Sequence, residues 1–120
     1  MISKSIKGNS TEAIIKEIDK AISNGFKPTL AIVFSSIKQD WETVSKLLDD
    51  KGIQIFGATT AGEFIDGDVE EGSIVMMLLD LNPTYFKLEF LETSPETTLE
   101  TAKKLGIKAK NTFANPALII

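Results

Sequence analysis

The sequence contains neither cysteine nor histidine in 120 residues, and it carries one tryptophan and one tyrosine. Without cysteine there is no disulfide framework, and without both residues the zinc-finger ligand sets and the haem-attachment motif are excluded. The same absences remove the Ser-His-Asp triad, the Cys-His pair and the imidazole general base. Any chemistry must therefore rest on carboxylates, lysines, hydroxyls or backbone amides, and neither a metal site nor a cofactor is expected. Positive charge is also in short supply: 13 basic against 17 acidic residues leave a net charge of −4. The lysines are scattered rather than gathered into a stripe, so no nucleic-acid partner is expected. Long apolar runs are missing too. The longest strongly apolar run, residues 74–79, falls far short of the roughly 20 residues needed to cross a bilayer, and residues 1–7 lead into no signal-peptide core. The expectation is a cytoplasmic protein without membrane insertion.

With 42% hydrophobic and 25% charged residues, the chain has the composition of a soluble globular domain, and 120 residues can bury about two-thirds of the unfolded surface. Residues 1–120 are read as a single unit. Within residues 10–24, Ile14, Ile15, Ile18 and Ile22 share one helical face, with Ser10 or Thr11 as the cap and Asn24-Gly25 as the stop. Residues 29–34 are apolar on both alternating faces, the pattern of a strand covered on both sides. Asp40 opens a second helix carrying Trp41, Val44, Leu47 and Leu48, which ends at Gly52. Residues 53–56 form a second strand at once, which makes a βαβ unit with two parallel strands. Residues 73–79 and 85–91 then read as two strands joined through Asn82-Pro83 into an antiparallel hairpin. Ser94-Pro95 opens a helix to about Leu105 with a thin apolar face. The fold class is α/β: a mixed sheet containing a βαβ unit followed by an antiparallel hairpin, with helices packed on it. The final residues read like the start of a buried strand, so the expectation is the N-terminal part of a longer domain.

The densest run of small polar residues, Gly57-Ala58-Thr59-Thr60-Ala61-Gly62-Glu63, follows the second parallel strand. In open α/β sheets ligands bind beyond the carboxyl ends of the strands, and Ser35-Ser36 should emerge beside this run if the two strands are neighbours. Hydroxyls and glycine amides suit a carboxylate, and Glu63 suits an ammonium or hydroxyl. The same residues could equally serve a plain tight turn. A phosphate loop is disfavoured, because Glu63 stands where that pattern needs a lysine. The acidic group Asp66, Asp68, Glu70 and Glu71 departs from the EF-hand pattern, with Glu71 and Met77 where Gly and Glu belong, and reads as a solvated loop. Trp41 reads as core or half-buried packing, and Met76 and Met77 as core filler.

These residues carry a family likeness. A strand ending Val33-Phe34-Ser35-Ser36, an acidic residue opening a helix, the run from Gly57 to Glu63, and Glu71-Gly72 before the next strand together resemble the N-terminal part of a FIST domain. The match in the glycine-rich run falls at Gly57, Thr59, Thr60, Ala61, Gly62 and Glu63. The family's usual cysteine is Ala58 here, so no thiol role carries over. The resemblance implies a sensory module that binds a small ligand such as an amino acid and signals to an output domain in the same or an associated protein. It implies ligand binding by Gly57, Thr59, Thr60, Gly62 and Glu63, with Ser35 and Ser36 as neighbours, and no catalytic residue. Two alternatives stand beside it. One is a carboxylate-dependent hydrolase-type enzyme using Glu63, which lacks the base a hydroxyl nucleophile needs. The other is an interaction module, homodimeric or with another chain, pairing through an exposed strand edge.

Overall fold

The computed structural model describes residues 1–119, with the backbone alone at Phe64, Asp68 and Glu70. Two compact units divide the chain, Met1–Leu88 and Glu89–Ile120. The first holds a sheet of four strands in the order β1-β6-β2-β3. These are β1 (Ile2–Gly8), β2 (Leu30–Ser36), β3 (Gln54–Thr60) and β6 (Ile74–Asp80); β4 (Glu63–Ile65) and β5 (Asp68–Glu70) form a separate two-stranded ribbon. Strands β2 and β3 run parallel, as the βαβ reading requires, while β6 lies antiparallel to both β1 and β2.

Helices α1 (Thr11–Ile22) and α2 (Trp41–Asp50) form where the apolar periodicity predicts them. Ser10 accepts from the Ala13 N–H at 3.2 Å, and Asp40 accepts from the Thr43 N–H at 3.1 Å. Each cap satisfies a donor that the first helical turn leaves open. Ile14 and Ile18 of α1 and Val44 and Leu48 of α2 meet Ala31 of β2 and the alternate β6 residues Ile74, Met76 and Leu78 in one core. Every second residue of the central strands thus faces the helices. The opposite face of β2 is less covered than its sequence predicts, with Ile32 and Phe34 only half-buried.

An antiparallel hairpin does follow the βαβ unit, but β4 and β5 make it, turning at Asp66 and Gly67 with φ of 49° and 88°. The pairing expected between residues 73–79 and 85–91 does not occur. Both edges of β6 are already taken, by β1 on one side and β2 on the other, so no ladder position is left for a following arm. Asn82 does form the expected turn, capping a short 3₁₀ helix, Pro83–Tyr85, after which residues 86–95 belong to no strand or helix. Strand β1 has no counterpart in the sequence reading.

In the second unit, α3 (Thr98–Thr112) starts later than Ser94-Pro95 predicts and continues through Gly106. Ser94 instead closes a turn, its carbonyl accepting from the Thr97 N–H at 3.0 Å. No α3 residue is buried, in keeping with its thin apolar face. Lys108 pairs with Glu89 at 2.6 Å. The terminal segment 113–119 is not a strand, and Ile120 lies outside the described residues. No helix among the described residues is long and apolar enough to cross a membrane.

Candidate functional site

The carboxyl ends of β2 and β3 sit side by side, with Ser35 opposite Thr59 and Ser36 opposite Thr60. This is the juxtaposition the βαβ reading predicts. It is built differently in one respect: Gly57 to Thr60 are not a loop but the second half of β3, because the parallel ladder continues to the last residue of β2. The chain leaves the sheet only at Ala61-Gly62.

Two clefts flank this edge. The more polar cleft, of about 330 Å³, is lined by Ser36, Thr59 and Thr60 together with Lys38, Glu71 and Gly72 and the apolar Ile37 and Ala61. A second, apolar cleft of about 290 Å³ lies against α2 and includes Ser35, Gly57 and Thr59 in its lining. Of the seven predicted site residues, three therefore line the polar cleft and three the apolar one, with Thr59 common to both. Gly62 lines neither.

Glu63 is placed behind the polar cleft, 1% exposed. Its Oε1 accepts from the Thr60 hydroxyl at 2.7 Å, and its Oε2 accepts from the Ser73 N–H at 3.1 Å and the Ser73 hydroxyl at 3.3 Å. Burial pushes the carboxyl pKa up, but the Thr60 hydroxyl, the Ser73 N–H and hydroxyl and the Gly72 N–H favour the charged form more strongly, and the pKa lies below its ordinary 4.5. Glu63 is thus an ionised tie between the end of β3 and the start of β6. Gly72 makes the tie possible: its φ of 85° belongs to the left-handed region, which a residue without Cβ adopts at no steric cost. The Gly72 carbonyl accepts from Gln39 Nε2 at 2.6 Å, which fastens the loop after β2 to the same point.

The tie fixes hydrogen-bond polarity in the cleft. The Thr60 hydroxyl spends its proton on Glu63, which leaves its lone pairs to accept from a ligand. Ser36, 5% exposed, accepts from the Lys38 N–H at 3.3 Å, which leaves its hydroxyl proton to donate. Lys38 and Glu71, two lining residues the sequence reading passed over, add one charge of each sign. Both side chains are exposed, and among the described residues neither head group has a hydrogen bond or ion pair. Their signal in the sequence is position alone: Lys38 stands two residues after β2, and Glu71 immediately precedes Gly72. Among the described residues no group of acidic side chains is placed to hold a metal ion; the side chains of Asp68 and Glu70 lie outside that description.

The hydroxyl-lined cleft of this α/β unit lies at the carboxyl ends of its parallel strands, the edge at which open α/β sheets bind ligands. The sequence model of the FIST N domain matches residues 29–120. The chain belongs to the FIST family, sensory domains of signal-transduction proteins. No curated protein and no solved structure shows a significant match.

Proposed function

We propose that this chain binds a small zwitterionic ligand, an amino acid or a close analogue, and that occupancy of the polar cleft is the signal passed to an output domain in the same or an associated protein, in the cytoplasm. The observation that carries this reading is the pairing of Lys38 and Glu71, free charges of opposite sign, in one cleft with the Ser36, Thr59 and Thr60 hydroxyls. An ammonium on a flexible stem and a donating Ser36 hydroxyl suit a carboxylate. The Glu71 carboxylate and the accepting Thr60 oxygen suit an ammonium. In this reading Glu63 positions Thr60 and does not touch the ligand.

Titration calorimetry with a panel of free L-amino acids tests the reading. Binding is expected for the intact chain, with affinity falling roughly tenfold for Lys38→Met and for Glu71→Gln, since a charge-assisted hydrogen bond is worth about 1.5–3 kcal/mol. Thr60→Val should lower it less, by about threefold to tenfold, as one neutral acceptor is lost. Absence of heat with every amino acid, or affinities unmoved by both charge removals, would refute the assignment.

A further inference from the structure

The apolar cleft is left open by the small residues of the strand ends. Farther up the strands, Ala31, Val33 and Ile55 fill the space beneath α2 by packing with Val44, Leu47 and Leu48. One and two registers later the same sheet face carries Gly57, Ser35 and Thr59, and nothing there reaches the first turn of the helix. Trp41 shows the consequence. It lies in phase with Val44 and Leu48, which are 3% and 0% exposed, yet it is itself 50% exposed. A large aromatic on the buried stripe of a helix is normally covered. Here its side chain walls a cleft.

Two of the three hydroxyls that line that cleft, those of Ser45 and Ser35, are occupied within the protein. The Ser45 hydroxyl donates to the Trp41 carbonyl at 2.6 Å, and the Ser35 hydroxyl donates to the Ser36 carbonyl at 3.2 Å. Among the described residues no charged side chain lines the cleft. It suits a hydrocarbon group, and its volume of about 290 Å³ stands near the lower end, about 300 Å³, of small-molecule pockets. Thr59 lines both clefts, so the two meet at that residue, at the carboxyl end of β3.

We infer that the ligand is an amphiphile: a zwitterionic head group held by the polar cleft and a branched aliphatic or aromatic tail seated against Trp41, Val44 and Ile55. This inference rests on the proposed reading of the polar cleft and adds the selectivity that reading leaves open. Alanine, valine, leucine and phenylalanine share the head and differ in the tail. Each buried methylene is worth roughly fourfold in affinity, so leucine should bind at least tenfold more tightly than alanine, and glutamate should gain nothing from its longer chain. Trp41 is the only tryptophan, and its emission should shift with leucine but not with glycine.

The test is competition and fluorescence titration with these free amino acids, on the intact chain and on Ser45→Leu, whose larger side chain would occupy the cleft. The leucine-to-alanine affinity ratio should fall toward one in that variant. Equal affinities for alanine and leucine with an unmoved Trp41 emission would overturn the amphiphile inference while leaving the head-group reading intact. No binding by any of these amino acids would overturn both. A retained ratio in a folded Ser45→Leu protein would place the tail elsewhere and also overturn it.

Discussion

Glu63→Ala is expected to destabilise the Met1–Leu88 unit by about 2–4 kcal/mol. The carboxylate accepts three hydrogen bonds from Thr60 and Ser73 while 1% exposed, and Ser73 is itself fully buried. Truncation therefore leaves the Ser73 N–H without an acceptor in a place water does not reach. A stranded buried donor costs about 1–3 kcal/mol, and the bonds lost here are charge-assisted. Glu63→Gln separates the two contributions. Its amide oxygen can still accept from Ser73 and its NH₂ can donate to Thr60, which reverses that one bond, so about half the loss is expected. Urea unfolding followed by circular dichroism measures both. If Glu63→Ala unfolds within about 0.5 kcal/mol of the parent, the range of an ordinary surface change, the carboxylate is not the tie its geometry implies.

Acid should undo the same tie. The folded-state pKa of Glu63 lies below its ordinary 4.5, so the unfolded chain binds the proton more readily than the folded one. The stabilisation from ionised Glu63 is then complete above that ordinary value and is lost as the pH falls through the lowered folded-state value. Asp40, lowered by its bonds from Thr43, titrates in the same direction. In Glu63→Gln the first contribution is absent, and the stability gap between parent and variant should narrow from pH 6 to pH 3. A gap of constant size would mean that Glu63 gains no stability from its charge.

The contrast between what the sequence discloses and what it hides has a physical pattern. Helices α1 and α2 and the parallel pair β2–β3 were legible because local periodicity and caps agree with the tertiary packing that covers them. That both strands end at the same edge of the sheet follows from the βαβ rule, while the direct contact of Ser36 with Thr60 also needs β2 and β3 to be neighbours. Strand β1 was hidden because Ile2, Lys4 and Ile6 form a short, mixed alternation that gains its order only from pairing with β6. Residues 85–91 mislead for the converse reason. Their alternation is strong, but a strand needs a free edge, and β6 has none. The Asp66-Gly67 hairpin is readable in principle, since that dipeptide favours two-residue turns with positive φ, but the surrounding acidic residues give the segment the composition of a solvated loop. At the site, composition found the hydroxyls. It could not show that Glu63 faces inward, because an exposed and a buried carboxylate are the same letter until Ser73, ten residues away, is seen to donate to it.

Gly57→Ala should have an effect of similar size by a different route, a loss of about 3 kcal/mol together with weakened ligand binding. Gly57 is paired with Val33 in the parallel ladder, and a Cβ placed there would lie 1.9 Å from the Val33 carbonyl oxygen and 2.8 Å from its carbon. Both are backbone atoms of a central strand, so no rotamer change relieves the clash, and overpacking that must move backbone costs at the upper end of about 1–3 kcal/mol or beyond. The strand that can yield is β3, which among the described residues lies at the edge of the sheet with β2 as its one neighbour. Displacement of its second half would separate Ser36 from Thr60 and Ser35 from Thr59, the pairs on which both clefts stand. Amide hydrogen exchange at Thr59 and Thr60 should accelerate in Gly57→Ala, with a lowered unfolding midpoint, while Ala58→Gly, a residue later in the same strand, serves as the control for altered backbone entropy. The substitution also decides why a glycine begins the Gly-Ala-Thr-Thr-Ala-Gly-Glu run. If it were there to let a ligand approach the backbone, Gly57→Ala would lower affinity and leave stability and exchange unchanged. The geometry predicts that stability falls first and that affinity follows from it.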